Sequence, residues 1–388
     1  MKRPLQGQYI PQVIEGEQVD AFIPNPLPPD PPVRVTADLT MLFDEALLAL
    51  GQLNGVLATL EDRTSIALHL GRLESVLSCQ IEDTKASLSD MLYHDMGCPS
   101  YTSLPDAQEV VRYYAAQQWG FEQLAKGELI TADFIRTLQY QLTHTAKGVA
   151  EKGNFREGGY WVRGERPSHA AYIPAPASEL QRLMDEWDAF VHSTCGTFPV
   201  LPKVGLAHMQ FQAISPFYEG NGRVARSLVG LILREGRMLR EPVLLLSYYL
   251  YRHRETYYQL LHNVPKTGDW ELWLSFFGQA VKEGADHAAK IAQEIQTVLA
   301  TDRAAVGSSR QSPSLLQVLR ELARQPITTS ALLGETTGLM PMTVNKALSH
   351  LMELGILREL TGQRRYRIYC YTALFEILNR GTGLDSPH

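Results

Sequence analysis

A stretch near the middle of the chain, 215-SPFYEGNGRVAR-226, combines residue types that bind phosphate. Gly220 and Gly222 allow positive φ angles, which let a backbone come close to a ligand. Backbone N–H groups that lead into a helix N-terminus form an anion site. Arg223 and Arg226 are three residues apart, so a helix presents both on one face toward a polyphosphate. The stretch therefore predicts a cradle for phosphate groups.

Two further side chains extend this prediction to a nucleotide with a metal ion. Glu219 can hold Mg²⁺ through a carboxylate oxygen, and Asn221 can donate a hydrogen bond to a phosphate oxygen. The stretch is not a Walker A loop, because the GxxxxGK(S/T) pattern is missing. From these residues alone, a glycine-bearing turn with two surface arginines remains the alternative.

Ser215 stands at the head of this stretch, where a reaction on phosphate needs a proton acceptor. An unactivated hydroxyl does not take up a proton at neutral pH, whereas a histidine can. His208 lies seven residues earlier, next to apolar residues such as Phe211. Its position favours packing within its own helix over replacement of the base.

The composition limits the protein class. The chain has 388 residues, which predicts two or three domains, and a net charge of -6 argues against nucleic-acid or membrane binding along the whole chain. Its four cysteines show no metal-ligand spacing, which favours a reducing compartment. Without a signal-peptide pattern, and with its longest apolar run, 243–251, too short for a bilayer, we expect a cytoplasmic protein without a membrane partner.

Apolar residues at helical spacing cover most of the chain and predict a mainly α fold. The segment 148-GVAEKGNFREGGYWVRG-164 carries five glycines among aromatic and β-branched residues, which predicts a short β-hairpin. The predicted parts are an extended proline-rich arm (1–36), an N-terminal helical region (37–104), a core (105–300, hairpin about 150–164), a linker (301–314) and a C-terminal domain (315–380).

The C-terminal domain reads as three short helices followed by a basic hairpin, the pattern of a winged helix. Thr343, Asn345 and Lys346 lie early in the third helix, where base-contacting side chains are expected. The hairpin carries four arginines that could contact phosphate: Arg358, Arg364, Arg365 and Arg367. Winged helices also bind proteins or form dimers, so the partner of this domain stays open.

The segment 206-LAHMQFQAISPFYEGNGRVAR-226 closely resembles the core motif HxFx(D/E)GNGRxxR of the Fic (filamentation induced by cAMP) family. Residues 153–187 resemble that family's flap and the segment after it, 247–277 its later helices, and 22–32 its N-terminal region. The resemblance spans roughly residues 20 to 300. It implies a Fic-type helical core with a β-hairpin flap, a winged-helix companion, and transfer of AMP from Mg·ATP to a Ser, Thr or Tyr hydroxyl of a protein.

The resemblance also implies roles for the motif residues. Glu219 would bind Mg²⁺ or Mn²⁺, and Gly220, Asn221 and Gly222 would form the anion hole for the α- and β-phosphates. Arg223 would contact the β-phosphate and Arg226 the γ-phosphate.

Other parts of the resemblance concern the nucleoside, the target and the aromatic residue of the motif. Tyr257 and Tyr258 lie where the family builds part of its nucleoside pocket, although ordinary helix packing explains them equally well. Phe217 is the buried aromatic of the motif. The flap would align a segment of the target by strand addition. The implied partners are ATP and a target protein or the chain itself, and a homodimer is expected on the resemblance alone.

The stretch 78-SCQIED-83 resembles the family's inhibitory helix motif, (S/T)xxxE(G/N). Glu82 would compete with the γ-phosphate for Arg226, and Ser78 lies one helical turn earlier. The usual Gly or Asn is Asp83 here, which leaves the geometry at the helix end in question.

Where this chain has Ser215, the family has the histidine that acts as general base. Losing a general base typically slows a reaction by about 10²–10⁴-fold without abolishing it. The sequence therefore predicts a slowed, Glu82-inhibited protein adenylyltransferase. The alternative is a catalytically degenerate nucleotide-binding regulator with a DNA- or protein-binding winged helix, and a substituted form of an active parent is a third interpretation.

Overall fold

The computed structural model describes residues 3–97, 104–144, 153–193, 199–307 and 312–380. It has the mainly α fold that the sequence predicts. The helices are α1 (Ala37–Thr59), α2 (Arg63–Ile81), α3 (Leu88–Asp95), α4 (Leu104–Ala125), α5 (Ala132–Thr143), α6 (Leu180–His192), α7 (Val200–Ile214), α8 (Asn221–Glu235), α9 (Leu246–Arg252), α10 (Arg254–Thr267), α11 (Trp270–Gly307), α12 (Ser312–Arg324), α13 (Ser330–Thr337), α14 (Pro341–Glu353) and α15 (Thr372–Asn379). The strands are β1 (Gly7–Ile14), β2 (Glu17–Pro24), β3 (Ile327–Thr329), β4 (Leu357–Glu359) and β5 (Ile368–Tyr371).

The chain divides into two compact units, each built from two separate segments. The first unit comprises Met1–Gly51 and Arg112–Ala285, and the second comprises Gln52–Val111 and Asp286–His388. The boundaries fall within the long helices α1, α4 and α11. The domain boundaries predicted from the sequence remain predictions.

The N-terminal arm is not simply extended, and this part of the prediction is wrong. β1 and β2 pair as an antiparallel hairpin, with Tyr9 opposite Phe22. Glu15 and Gly16 turn the chain with φ angles of 49° and 82°, as a two-residue hairpin of this kind requires. Most of the prolines lie beyond β2, so they exclude strand only after residue 24.

The centre of the first unit is α7, which is buried along nearly its whole length. It packs against α6, α8, α10 and β2. The indole N–H groups of Trp187 and Trp273 donate to α7 carbonyl oxygens, those of Ala207 at 2.8 Å and Gly205 at 2.7 Å. A β-carbon at Gly205 would lie 2.9 Å from side-chain atoms of the neighbouring helix, so this close packing requires glycine. These contacts fix the middle of α7, and the motif loop begins at its C-terminal end.

In the second unit, α2 packs against α3 and α12, and the C-terminal elements surround a three-stranded antiparallel sheet in the order β3-β5-β4. The three predicted short helices correspond to α12, α13 and α14, and the alternating segment after them forms β4 and β5. The linker prediction for 301–314 is partly wrong, because α11 continues through Gly307. Val306 is fully buried in that last turn, which favours helix over a solvated linker.

The hairpin predicted at about 150–164 is not a β ladder in the described residues 153–164. Its one bridge there joins Val162 to Tyr172. Side-chain contacts and isolated backbone hydrogen bonds, such as that from Arg156 N to Pro216 O, hold the segment, and its glycines weaken regular strand pairing. Residues 150–152 lie outside the described residues.

By length and composition alone, α1 could span a membrane. It buries Leu39, Phe43, Ala46 and Leu50 while exposing Asp44 between them. This alternation is the pattern of a helix at the edge of a protein core.

Candidate functional site

The loop between α7 and α8 is shaped by two residues in the left-handed conformation. Ser215 ends α7 with φ 44°, and Gly220 precedes α8 with φ 77°. A β-carbon on Gly220 would lie 3.2 Å from Thr143 Cγ2 on α5, so both the φ angle and the space favour glycine. Because Gly220 caps α8, the first N–H groups of the helix have no acceptor within the helix itself. This helix end can therefore receive an anion.

Asn221 closes the loop from inside. Its side-chain Nδ2 donates to Phe217 O at 2.7 Å, and its Oδ1 accepts from Phe217 N at 3.0 Å. The Nδ2 group carries a second hydrogen, so the predicted contact of the Asn221 side chain with a phosphate oxygen stays a prediction. Its backbone N–H, at the first position of α8, can still serve the anion hole.

The hydroxyl of Ser215 is buried and bonded to its own helix. Ser215 Oγ donates to Gln212 O at 2.6 Å, and the residue is 4% exposed. The proton thus points at a backbone carbonyl, and the hydroxyl is a helix cap. The left-handed conformation at this position is one that histidine adopts more readily than most residues do, so a histidine would fit the backbone.

Arg156 holds this loop from the segment before α6, and no motif in the sequence singles it out. Its Nε donates to Ser215 O at 2.9 Å, and its Nη2 donates to Ala175 O and, at 3.5 Å, to Ile214 O. Its own backbone N–H donates to Pro216 O at 2.9 Å. Arg156 is 2% exposed, and burial lowers its pKa to about 10. The guanidinium therefore fixes the end of α7 through backbone acceptors.

The same segment is joined to the motif by its backbone and by aromatic rings. Gly158 N donates to the hydroxyl of Tyr218 at 2.8 Å, and the rings of Phe155 and Phe217 lie 5.5 Å apart. Phe217 is 1% exposed, in agreement with its predicted packing role. Residues 155–158 thus follow the motif loop closely.

Glu219 has an exposed side chain, while its backbone oxygen accepts from Gln139 Nε2 on α5 at 3.3 Å. The described residues contain no group of three or more His, Cys, Asp or Glu side chains that could hold a metal ion. Mg²⁺ commonly uses one or two carboxylates together with substrate phosphates. A single exposed carboxylate beside an anion-binding helix end fits that mode.

Arg223 and Arg226 lie in the first two turns of α8 and are 8% and 3% exposed. Arg226 hydrogen-bonds the hydroxyl of Tyr257. That hydroxyl also accepts from Gln212 Nε2 at 3.0 Å. Both arginines are therefore held in the protein interior next to the loop that they are predicted to serve.

Tyr257 and His208 form a buried pair behind these arginines. His208 Nδ1 lies 3.1 Å from Ala225 O and carries the proton, so Nε2 accepts from the Tyr257 hydroxyl at 2.9 Å. Burial lowers the pKa of His208 to about 3 and raises that of Tyr257 to about 12. His208 packs its helix as expected, and Tyr257, fully buried, follows the packing alternative.

Tyr258 is half-buried on the outer side of α10. The guanidinium of Arg163 lies 4.0 Å from the centre of its ring, and that of Arg254 lies 5.6 Å from it. Arg163 belongs to the glycine-rich segment before α6 and has a φ of 57°. The tyrosine ring therefore already carries a cationic partner on its face.

The Fic/DOC family N-terminal profile matches residues 40–122, and the Fic/DOC family profile matches residues 129–233. The chain belongs to the Fic family. A Fic family protein from Desulfovibrio desulfuricans G20 superposes with a TM-score of 0.56, at 20% identity, over 88% of this chain and 98% of that one. Fic-1 from C. elegans, residues 134–508, superposes with a TM-score of 0.51, at 18% identity, over 67% and 73%. At these identities the two structures support the fold alone.

A relative that is named as a Fic adenylyltransferase also matches part of the chain. The "Protein adenylyltransferase Fic" of Aedes aegypti is 28% identical over 138 residues, which is 35% of this chain and 25% of the relative. The chain thus spans about a quarter of the length of that relative.

Ser78 and Glu82, the residues predicted to form an inhibitory motif, belong to the second unit. Ser78 is fully buried within α2, and Glu82 caps its C-terminus, where its N–H donates to Cys79 O at 2.9 Å. Asp83 follows with a φ of 69°. This left-handed position explains the preference of the motif for Gly or Asn, and aspartate tolerates it too. The helix containing Ser78 and Glu82 thus ends in a left-handed turn at Asp83.

Proposed function

We propose that the chain is a protein adenylyltransferase, which transfers AMP from Mg·ATP to a Ser, Thr or Tyr hydroxyl of a target protein or of itself. The observation that carries this proposal is the loop from Ser215 to Gly220, which opens α8 as an anion site next to buried Arg223 and Arg226. Membership of the Fic family and the name of the mosquito relative support the same activity.

The residues of the chain would act mainly by binding and positioning. N–H groups of the first turn of α8 and the two arginines would neutralise the triphosphate with little reorganisation, because they are held in place beforehand. Glu219 would hold Mg²⁺, whose charge offsets that of the phosphates. The target hydroxyl oxygen bonds to the α-phosphorus, the bond to the bridging oxygen breaks, and pyrophosphate leaves. Such transfers have loose transition states, so positioning supplies most of the catalysis.

The hydroxyl proton is the part of the reaction that this chain does not assist. Ser215 Oγ donates to Gln212 O and has no basicity at neutral pH. The proton would pass to solvent or to a phosphate oxygen. We therefore expect slow transfer, with a rate that does not depend on the serine hydroxyl.

The test compares the wild type with Ser215→His and Ser215→Ala, using ATP labelled at the α-phosphate and Mg²⁺. Ser215→His should label protein about 10²–10⁴-fold faster, because it restores a general base. Ser215→Ala is the matched control. Its labelling rate should stay within about threefold of the wild-type rate, since the wild type already lacks a general base. Absence of α-phosphate label with Ser215→His, at saturating ATP, would refute the proposal. Label from the γ-phosphate instead would show a kinase.

Inhibition by Glu82 is a second part of the proposal and rests on the inhibitory motif. Glu82→Gly should raise ATP affinity and self-labelling, because a carboxylate that competes for the Arg226 guanidinium is removed. Glu128→Gly removes an exposed carboxylate from the loop before α5 and is the control. If calorimetry and labelling both give wild-type values for Glu82→Gly, the chain has no such brake.

The second candidate is a nucleotide-binding regulator without catalysis. The hydrogen bond of the Ser215 hydroxyl to its own helix favours it, because it leaves the position of the general base without an acceptor for a proton. In that case ATP binding depends on Mg²⁺, and neither the wild type nor Ser215→His nor Ser215→Ala transfers label to protein.

A further inference from the structure

The third helix of the C-terminal segment, α14, has one buried face and one exposed polar face. Its apolar side chains that pack inward recur at helical spacing: Val344, Ala347, Leu348 and Leu351. The exposed face carries Met342, Asn345, Lys346 and Ser349 at the same spacing. Thr343 lies between the two faces and is half-buried. The exposed face of α14 therefore offers polar and apolar side chains that can hydrogen-bond or pack against a partner.

Beside this helix, the wing loop (residues 358–367, the end of β4 and the turn that leads to β5) concentrates positive charge. Its four arginines are exposed and make no ion pair among the described residues: Arg358, Arg364, Arg365 and Arg367. The chain as a whole carries -6, so this concentration opposes the overall charge. Such a local cluster attracts a polyanion.

The one carboxylate of the wing loop is used to build its turn. Glu359 accepts from Thr361 N at 2.8 Å, from Gly362 N at 3.0 Å and from the Thr361 hydroxyl. These bonds lower the pKa of Glu359, so it remains an anion bound to the backbone. The carboxylate therefore shapes the loop, and the arginines beyond it keep their charge directed outward.

An aromatic side chain stands at the tip of the wing loop. Tyr366 is 88% exposed and has a φ of 57°, a conformation that costs free energy for a residue other than glycine. Exposed Met340 and Met342 lie at the start of α14. Apolar groups among cationic ones match a surface that contacts both bases and phosphates.

We propose that the segment from α12 to α15 binds duplex DNA, with the exposed face of α14 in the major groove and the wing-loop arginines on backbone phosphates. An α-helix fits the major groove, where Asn345 and Lys346 are residue types that bond adenine and guanine. The acidic groups of α14 and of α13, which packs against it, are Glu353 and Glu335. Glu353 continues the exposed stripe only in the last turn of α14, at the opposite end of the helix from Met342, and lies 3.6 Å from His350 Nδ1. A protein ligand would exploit the methionines and the tyrosine but has no need of the four wing-loop arginines.

The test measures binding of the full-length chain to a labelled mixed-sequence duplex by fluorescence anisotropy at several NaCl concentrations. The triple variant Arg364→Ala, Arg365→Ala, Arg367→Ala should bind more weakly and with a shallower salt dependence. Each lost phosphate contact lowers the slope of log K against log [salt] by about 0.9. The ratio of wild-type to variant affinity should therefore shrink about 40-fold between about 50 and 200 mM NaCl.

The control removes three exposed arginines of the first unit: Arg34→Ala, Arg182→Ala and Arg252→Ala. It has the same net charge as the wing variant and should keep the wild-type affinity and slope. No binding of duplex at about 50 mM NaCl and roughly 100 µM protein would overturn the proposal. Equal losses in both triple variants, or tighter binding to single strands than to duplex, would overturn it as well. ATP labelling is measured in parallel, so that failure here is distinguished from failure of the transferase proposal.

Discussion

The buried guanidinium of Arg156 offers the sharpest test of how the site is held together. Replacing it with methionine keeps much of the side-chain volume and removes every hydrogen bond that it donates. In the structure these bonds end on the carbonyl oxygens of Ser215, Ala175, Gly158 and Ile214. Arg156→Met therefore removes the side chain that joins the end of α7 to the segment before α6.

The expected magnitude follows from the quality of these bonds. Those to Ser215 at 2.9 Å and to Ala175 are charge-assisted and contribute about 1.5 kcal/mol each. Those to Gly158 and Ile214, at 3.3 and 3.5 Å, are long and contribute little. Burying the guanidinium costs free energy that methionine does not incur. We expect a net loss of about 2–3 kcal/mol, and a drop in unfolding temperature of about 4–12 °C for a unit of this size.

The assay combines thermal unfolding with amide hydrogen exchange of residues 214–221 and ATP titration. Faster exchange should be confined to this loop and its neighbours, and ATP affinity should fall because α8 loses its fixed starting point. Arg156→Lys retains the charge but not the fork of donors and should be intermediate. Arg182→Met, exposed on α6, should change little. An Arg156→Met protein with wild-type unfolding temperature, exchange and ATP affinity would refute the reasoning.

Two further predictions concern the motif loop and the buried histidine. Gly220→Ala should lower the free energy of unfolding by about 1–2 kcal/mol and weaken ATP binding, because φ is 77° and the new β-carbon would lie 3.2 Å from Thr143 Cγ2. The control is Gly51→Ala, in open space on α1, which should raise the free energy of unfolding by up to about 1 kcal/mol. Calorimetry compares the two variants. Equal effects would contradict this explanation. Because burial holds the pKa of His208 at about 3, the unfolded chain alone takes up this proton below about pH 6.5. Stability is therefore unaffected above that pH and falls by up to about 1.4 kcal/mol per pH unit toward pH 3. His208→Gln should reduce the difference in unfolding temperature between pH 7.5 and pH 5, and an unchanged difference would show that the histidine is charged when folded.

Local features of the molecule were predictable because their causes lie close together in the sequence. The sequence predicted a mainly α chain in which the glycine-bearing stretch leads into a helix, and the structure has α7 (Val200–Ile214) before that stretch and α8 (Asn221–Glu235) after its first glycine. Apolar spacing and the Gly-Asn-Gly turn act within a few residues, so no tertiary information is needed for them. The same holds for the helix that carries Ser78 and Glu82 and ends at Asp83.

The N-terminal hairpin could have been found as well. Glu15-Gly16 stands between two eight-residue stretches of strand-forming residues, which is the signal of a two-residue turn. The proline cluster after residue 24 is a stronger local signal but concerns only the segment that follows the hairpin. The true extent of α11 was also within reach of the apolar spacing that ends at Val306.

The sequence by itself determined which chemical groups are available: an anion-binding helix start with two arginines and a carboxylate, and a serine in place of a base. Only the tertiary structure decided how those groups are used. It placed the Asn221 amide on Phe217, the Ser215 hydroxyl on its own helix, and Arg156 on acceptors as far as 59 residues along the chain. Such choices depend on burial, since a buried polar group bonds to whichever acceptor the packing brings near it. Neither residue type nor spacing encodes that neighbour.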